Sequence, residues 1–407
     1  MKTGKSVFKL AAGLTSSMTL AMALLPGQVL AADDVVIGVF VPTTGAVAPL
    51  GIDMRNGYEM AVKDAPKVKG ANVKLIVEDT QANPANSLKK AQKLVIQDKA
   101  KVLIGGASSA EVLGLGAQAD RLNVPIVTTN AQAVQVTGEQ CSKYLFRTNP
   151  NDAMVAHGTA QLIKKRPDLV QKKWFVVYHD FVWGQSNKAE FAKVPGVKIV
   201  GEAGRPMGTA DWSSAISQIQ SSGADAIYLA LAVGDDMPGF IRQARSFGLK
   251  QFLLPPLGMP DSMLQALGTD GPALVTGGLF GSWMTEDTNK EMKRFVAAYT
   301  AAYNKVPGAQ AIQAYAGMRL TLAAMNAAPS LSTSDIISAL ERTSIDTVIG
   351  KLAIRKEDHQ GTVGTFMSES VPLKNAQGGA TVGWKVIEAL PWDLVKVDLA
   401  QTGCKGL

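Results

Sequence analysis

Histidine, cysteine and aromatic side chains are scarce in this chain of 407 residues, which has three histidines, two cysteines and 6% Phe, Trp and Tyr. His157, His179 and His359 stand in no HExxH or HxH spacing, and Cys141 and Cys404 are too far apart in sequence to form a zinc pair. There is no G-x-S-x-G turn to expose a nucleophilic serine. Basic residues never cluster, which excludes the contiguous patch a nucleic acid partner needs. Beyond the N-terminus no apolar run is long enough to cross a bilayer. These absences leave a chain expected to be neither an enzyme nor a metalloprotein, with no cofactor and no nucleic acid partner.

The N-terminus has its own pattern. Lys2, Lys5 and Lys9 precede an apolar stretch from Leu10 to Leu25, Pro26-Gly27 breaks it, and Val29-Leu30-Ala31-Ala32 ends in small residues. Residues 1–32 therefore read as a secretory signal peptide. An uncleaved membrane anchor is the alternative, but the apolar core is short for a span. No cysteine at the cleavage point offers a site for lipid attachment. Without the three leader lysines, 38 of the 41 basic residues face 34 acidic ones, a small and scattered excess. In an exported chain an even cysteine pair reads as one disulfide, Cys141 to Cys404. Two buried free thiols are the alternative.

From Val35 onward, strand and helix signals alternate. Val35 to Val41, Val73 to Val77, Val102 to Ile104 and Val124 to Val127 are apolar and β-branched. Between them lie helical patterns: one capped by Asp53, one opened by Asn83-Pro84, and one from Ala110 to Arg121. A second set follows Asn149-Pro150, with strands at Trp174–Tyr178, Val197–Val200, Ala226–Ala230 and Phe252–Leu254 and a further one near Val275 to Phe280. Helical stretches near Asn289–Tyr303, Gln310–Met325 and Ser334–Arg342 come next, then hairpin-like chain from Leu352. Such alternation implies parallel sheets with helices on both faces.

Two strands end in polar turns of the kind that build a ligand site. Gly105-Gly106-Ala107 leads into Ser108-Ser109 at a helix start, where unpaired N–H groups and two hydroxyls suit a carboxylate. Thr128-Thr129-Asn130-Ala131-Gln132 ends the next strand. Gly114-Leu115-Gly116-Ala117-Gln118-Ala119 matches G-x-G-x-x-A but falls within the helical stretch, where small residues serve close packing. His179-Asp180 reads either as a base with its orienter or as solvated polar residues at a strand end. Trp183 either walls a pocket or packs in the core, and Asp235-Asp236 holds either a pocket acid or a helix cap.

Taken together, Ile37-Gly38-Val39 with Pro42-Thr43-Thr44-Gly45, Glu78-Asp79-Thr80, Ile104-Gly105-Gly106 with Ser108-Ser109, Pro125-Ile126-Val127-Thr128, Arg242-Gln243-Ala244-Arg245-Ser246-Phe247-Gly248-Leu249 and Asp346-Thr347-Val348-Ile349-Gly350 resemble the periplasmic branched-chain amino-acid-binding proteins. Those are type I substrate-binding proteins of ABC transporters. The resemblance implies two doubly wound three-layer α/β/α lobes joined by three crossovers, at 33–149 plus 276–358 and at 150–275 plus 359–407. It implies a monomeric periplasmic receptor that closes over a small-molecule solute and delivers it to an ABC permease in the inner membrane. An extracellular sensor for a signalling partner is the alternative role.

Position by position, the resemblance assigns Ser108 and Ser109 to the solute carboxylate, and Asn130, Ala131 and Gln132 to the turn that receives the ammonium. It places Leu50, Trp183 and Gln310 where the family carries aromatic side chains. The acid that pairs with the α-ammonium is expected after Phe252–Leu254, where this chain has Pro255-Pro256-Leu257-Gly258 and no carboxylate. An unpaired buried ammonium costs several kcal/mol. The expected solute is therefore a small organic acid, an amide or an amino-acid-like molecule rather than a standard amino acid, unless Asp235 replaces the missing acid. A true branched-chain amino-acid binder remains the alternative.

Overall fold

A computed structural model describes residues 34–232, 234–257, 261–268, 274–276, 278, 289–374 and 380–407. The signal-peptide segment 1–32, and residues 277, 279 and 280 of the strand expected near Val275 to Phe280, lie outside the described residues.

The first sheet contains β1 (Val35–Val41), β2 (Lys67–Val68), β3 (Ala71–Asp79), β4 (Val102–Gly105), β5 (Ile126–Thr128) and β6 (Leu145–Arg147). The second contains β7 (Lys173–His179), β8 (Lys198–Arg205), β9 (Ala226–Ala230) and β10 (Phe252–Leu254). Later come β11 (Val275–Thr276), β12 (Ser344–Thr347), β13 (Gly350–Arg355), β14 (Gln360–Gly361), β15 (Thr365–Lys374) and β16 (Ala380–Leu390). The first sheet runs β12-β13-β14-β6-β5-β4-β1-β3-β2, the second β10-β9-β7-β8, and β11-β15-β16 form a small antiparallel sheet. All pairs in the second sheet are parallel, as are those from β3 through β1, β4, β5 and β6 to β14. This is the doubly wound α/β architecture read from the sequence.

The central strands are apolar throughout because both of their faces are covered. In β1, Ile37, Val39 and Val41 join one core cluster while Phe40 joins another on the opposite face. In β4, Val102 and Ile104 face the first cluster and Leu103 the second. This two-residue alternation is what sheet geometry requires. The chain leaves the first sheet after β6 through the helix Asp152–Lys165, capped by Asn151, whose side-chain oxygen accepts from Met154 N. It returns for β12 to β14, and Gln360 pairs beside Arg147 before the chain leaves again for β15. Cys141 and Cys404 are bonded (Sγ–Sγ 2.06 Å), fastening the C-terminal tail to the loop before β6.

Two helix starts differ from expectation. Asp53 is not a cap. Its helix begins at Ala48 with Pro49 in the first turn, where a missing N–H costs nothing. Asp53 instead accepts from the Tyr299 hydroxyl and pairs with Lys305. The stretch Ala110–Arg121 is two helices, Ser109–Gly116 and Ala119–Leu122, so the G-x-G-x-x-A string spans the break between them. Gly114 and Gly116 are poor helix formers, and the first helix ends beside them. Asn83, by contrast, caps Pro84–Ile96 through bonds from Ala85 N and Asn86 N, as its sequence indicates.

Candidate functional site

Strand order locates the site. In the first sheet the connections run outward from β1 to β3 on one side and from β4 to β5 and β6 on the other, so the order reverses between β1 and β4. In the second it reverses between β7 and β9. A crevice opens beyond the carboxyl ends of strands at such a reversal. The loops found there are 42–47 and 105–109 in the first lobe, and 180–183, 231–232 and 234–235 in the second.

The first wall is tightly tied. Gly105 and Gly106 both have positive φ, and a Cβ at Gly105 would sit 2.1 Å from Phe40 O, so only glycine lets the chain turn this close to β1. Ser108 caps the helix Ser109–Gly116 in a reciprocal capping box: its Oγ accepts from Glu111 N at 3.3 Å, and Ser108 N donates to Glu111 Oε2 at 2.9 Å. Ser109 Oγ accepts from Ala133 N at 3.1 Å, and Asn130 Nδ2 donates to Ala107 O at 2.8 Å, so the two polar turns are laced together. Both serine hydroxyls act as acceptors here, and the Ser108 side chain also bonds the Glu111 carboxyl. Among the described residues the N–H groups of Ser109 and Ala110 have no acceptor. Two backbone donors thus stand unpaired at one helix start.

Glu111 stands behind that seat, fully buried, and also accepts from Ser87 Oγ at 2.7 Å. Burial raises its carboxyl above the ordinary range. Arg147 underpins the neighbouring turn. It is also fully buried and donates to Ala133 O (2.7 Å), Ala131 O, Gln360 Oε1 (2.8 Å) and Thr137 Oγ1. Burial pushes its guanidinium down to about 9. Because it holds the carbonyls on both sides of Gln132, it fixes where that side chain points. Sequence reading missed both residues. The spacing S-x-x-E from Ser108 to Glu111 was the available signal for one, and no local pattern marks the other.

The second wall is aromatic. Trp183, in the first turn of the helix Val182–Phe191, is buried, and its Nε1 donates to Gln132 Oε1 at 3.1 Å, joining the two lobes. Beside it Ser186 Oγ accepts from Val134 N at 3.2 Å, a second bond between the lobes. Phe181 stacks between Trp183 and His179, with ring centroids 6.0 and 5.8 Å away. His179 neither pairs with Asp180 nor meets solvent. It is 1% exposed, its Nε2 donates to Asp236 Oδ2 at 2.8 Å, and its Nδ1 accepts from Ala232 N at 2.9 Å. Both contacts are satisfied only by the neutral ring, and burial lowers its pKa to match. It acts as a strut between the loops after β7 and β9. Asp236, which also accepts from Gly208 N, is therefore neither pocket acid nor cap.

The structure brings Ser108, Ser109, Asn130, Ala131, Gln132 and Trp183 together around one crevice. Asp235 is exposed in the loop after β9, and its side chain makes no cap to the helix Asp236–Ser246. Leu257 is half-buried in the turn after β10. Leu50 and Gln310 are half-buried near the starts of the helices Ala48–Asp64 and Ala309–Ala327, and among the described residues no hydrogen bond ties either to the serine turn. Among the described residues no cluster of His, Cys, Asp and Glu is arranged to hold a metal, and no helix is long and apolar enough to cross a membrane.

The sequence profile of periplasmic binding proteins matches residues 34–376. The chain belongs to that family. It is 27% identical over 329 residues to the Leu/Ile/Val-binding protein homolog 8 of Brucella abortus (strain 2308), covering 77% of this chain and 81% of that one. A periplasmic binding protein from Burkholderia mallei superposes with a TM-score of 0.82 at 26% identity, over 92% of this chain and 99% of the other. A Rhodopseudomonas palustris solute-binding protein solved in complex with benzoate superposes with a TM-score of 0.76 at 22% identity, over 91% and 99%. The fold is thus the type I periplasmic binding protein fold, and the protein is a solute binder associated with ABC transport. Its family binds solutes and does not consist of enzymes.

Proposed function

We propose that this chain is the periplasmic receptor of an ABC importer and captures a small carboxylic acid, aromatic or amide-bearing, in the crevice between its lobes. The observation that carries the reading is the contrast between the two walls: unpaired N–H groups at the helix start Ser109-Ala110, and no carboxylate in Pro255-Pro256-Leu257-Gly258. The next acid along the chain, Asp261, opens the following helix Asp261–Ala266. Hydrogen bonds to an ionised carboxylate are among the stronger ones, and the neutral aromatic wall suits a solute whose other end is uncharged. A protein of the same fold, from R. palustris, is solved in complex with benzoate, an aromatic acid.

In this reading residues 1–32 are a cleaved signal peptide, and the mature protein is a monomer of two lobes, 33–149 plus 276–358 and 150–275 plus 359–407. Solute contacts available only in the closed form shift the population toward closure, and the permease recognises that form. Leu50, Gln310 and Leu257 would lie at the rim and Asp235 at the far wall. A branched-chain amino-acid solute is the second reading. It is favoured by the name of the Brucella relative and by the exposed carboxylate of Asp235, which is free to meet an ammonium. A thermal-shift screen over organic acids, aromatic acids, amides and amino acids, followed by calorimetry, separates the two. A large stabilisation by leucine, isoleucine or valine would overturn the acid reading.

A further inference from the structure

We propose that Gln313 is a solute-contacting residue that selects for a hydrogen-bonding group on the solute. This rests on the receptor reading above and extends it to the part of the solute remote from the serine seat. Gln313 is only 7% exposed, yet its Oε1 is buried without a donor, and among the described residues its carboxamide has no hydrogen-bond partner. Buried polar side chains are overwhelmingly paired, and leaving one unpaired is costly.

Its place in the fold says what the missing partner is. The helix Ala309–Ala327 runs away from the crevice. At its start Gly308 packs near Asp53 in the helix that follows β1, and near its end Asn326 bonds Lys67 O and Lys69 N at the opposite edge of the sheet. Partway along, a Cβ at Gly317 would lie 2.6 Å from both Thr129 Cγ2 and Thr148 Oγ1, so the helix touches the residues that follow β5 and β6. Gln313 is four residues earlier. It occupies roughly the same helix face, one turn nearer the crevice, and helical side chains lean toward the helix N-terminus. The carboxamide is thus carried to the level of the Thr129-Asn130 turn. With one acceptor and two donors it suits a hydroxyl or amide on a carboxylic acid whose carboxylate sits at Ser108-Ser109. It does not supply the charge an ammonium needs.

The test uses the full-length mature protein and four probes: benzoate, 3-hydroxybenzoate, 4-hydroxybenzoate and 4-carbamoylbenzoate, with affinities measured by calorimetry. Native protein should bind at least one donor-bearing probe about tenfold more tightly than benzoate, the weight of one well-made hydrogen bond. In Gln313→Met, and in Gln313→Leu as a second apolar variant, that ratio should fall to about one while benzoate affinity is kept. The unliganded variants should melt no lower than the native protein, since the group removed was unpartnered. An unchanged ratio in the variants, no preference in the native protein, or lower melting of both unliganded variants overturns the assignment. If benzoate binds and Ser108 and Ser109 variants abolish it, the receptor reading survives such a failure. If none of the four acids binds, the Gln313 assignment falls together with the aromatic-acid form of the reading.

Discussion

The two walls of the crevice are built on opposite principles. The first is polar and over-determined. Ser108, Ser109 and Asn130 each make a bond that holds the loop, and Glu111 and Arg147 brace it from below. The second is apolar and sparsely tied, with Phe181 and Trp183 facing the crevice and His179 as its principal strut. A wall whose donors are preorganised can recognise one functional group shared by many solutes. A wall made of aromatic surface and one indole N–H discriminates by shape. In the proposed reading the serine seat captures the carboxylate, while Trp183 across the crevice and Gln313 in the first lobe select among solutes, and each part can be broken separately.

The largest effect is expected at the seat. Replacing Ser108 and Ser109 together by leucine should weaken the best acid found in the screen by more than about 100-fold, since two hydrogen bonds to a charged group are lost. Stability should fall by about 1 kcal/mol from the lost cap and by about 1–3 kcal/mol more because Ala133 N loses its acceptor and leucine replaces a buried serine. Calorimetry with circular dichroism checks both, and retained affinity would end the carboxylate assignment. At the other wall, Trp183→Ala should cost about tenfold or more by removing apolar surface and the bond to Gln132. Trp183→Phe, which keeps the surface, should cost about threefold; equal losses in the two would mean the hydrogen bond matters and the surface does not.

A smaller effect tests the missing charge. Leucine at 1 mM should raise the native melting temperature by less than about 1 °C, and that of Leu257→Glu by a few degrees, as ligand linkage predicts once an ammonium has a partner. A separate effect, on stability and not on binding, concerns Asp152, which starts the crossover helix and accepts from Asn187 Nδ2 in the second lobe at 3.0 Å. Burial holds its carboxyl up to about 6. The folded protein therefore keeps this proton more tightly than the unfolded chain does. Its stabilising contribution is full below the ordinary carboxylate range and is lost as pH rises toward 6. Asp152→Asn should flatten the stability profile between pH 4 and 6 by up to about 3 kcal/mol in denaturant titrations. A profile as steep as the native one would place the titration elsewhere.

Much of this was readable in advance, and the exceptions have common causes. The parallel strands showed because both faces are buried and β-branched residues fill them. Asn83-Pro84 and Ser108 showed because capping is local chemistry. Asp53 misled because a cap residue looks the same whether it bonds its own helix or a tyrosine 246 residues away. His179 misled for the same reason, since the adjacent Asp180 suggested a pair that the fold makes with Asp236 instead. Arg147 and Gln313 left no trace in local sequence. One is defined by carbonyls on another loop, the other by a partner that no part of the described chain supplies.

By itself the sequence determined the class of molecule: an exported-looking α/β chain, poor in histidine and cysteine, with a serine turn at a helix start and no acid in the turn after Phe252–Leu254. These are properties of neighbouring residues, and local propensity and composition are enough to read them. Only the tertiary structure decided what the turn faces. The reversals of strand order bring the loops after β1, β4, β7 and β9 to one crevice, the indole of Trp183 onto Gln132, and an unpartnered carboxamide to the same level. Those groups are tens to hundreds of residues apart, and chain connectivity alone does not specify which of them meet.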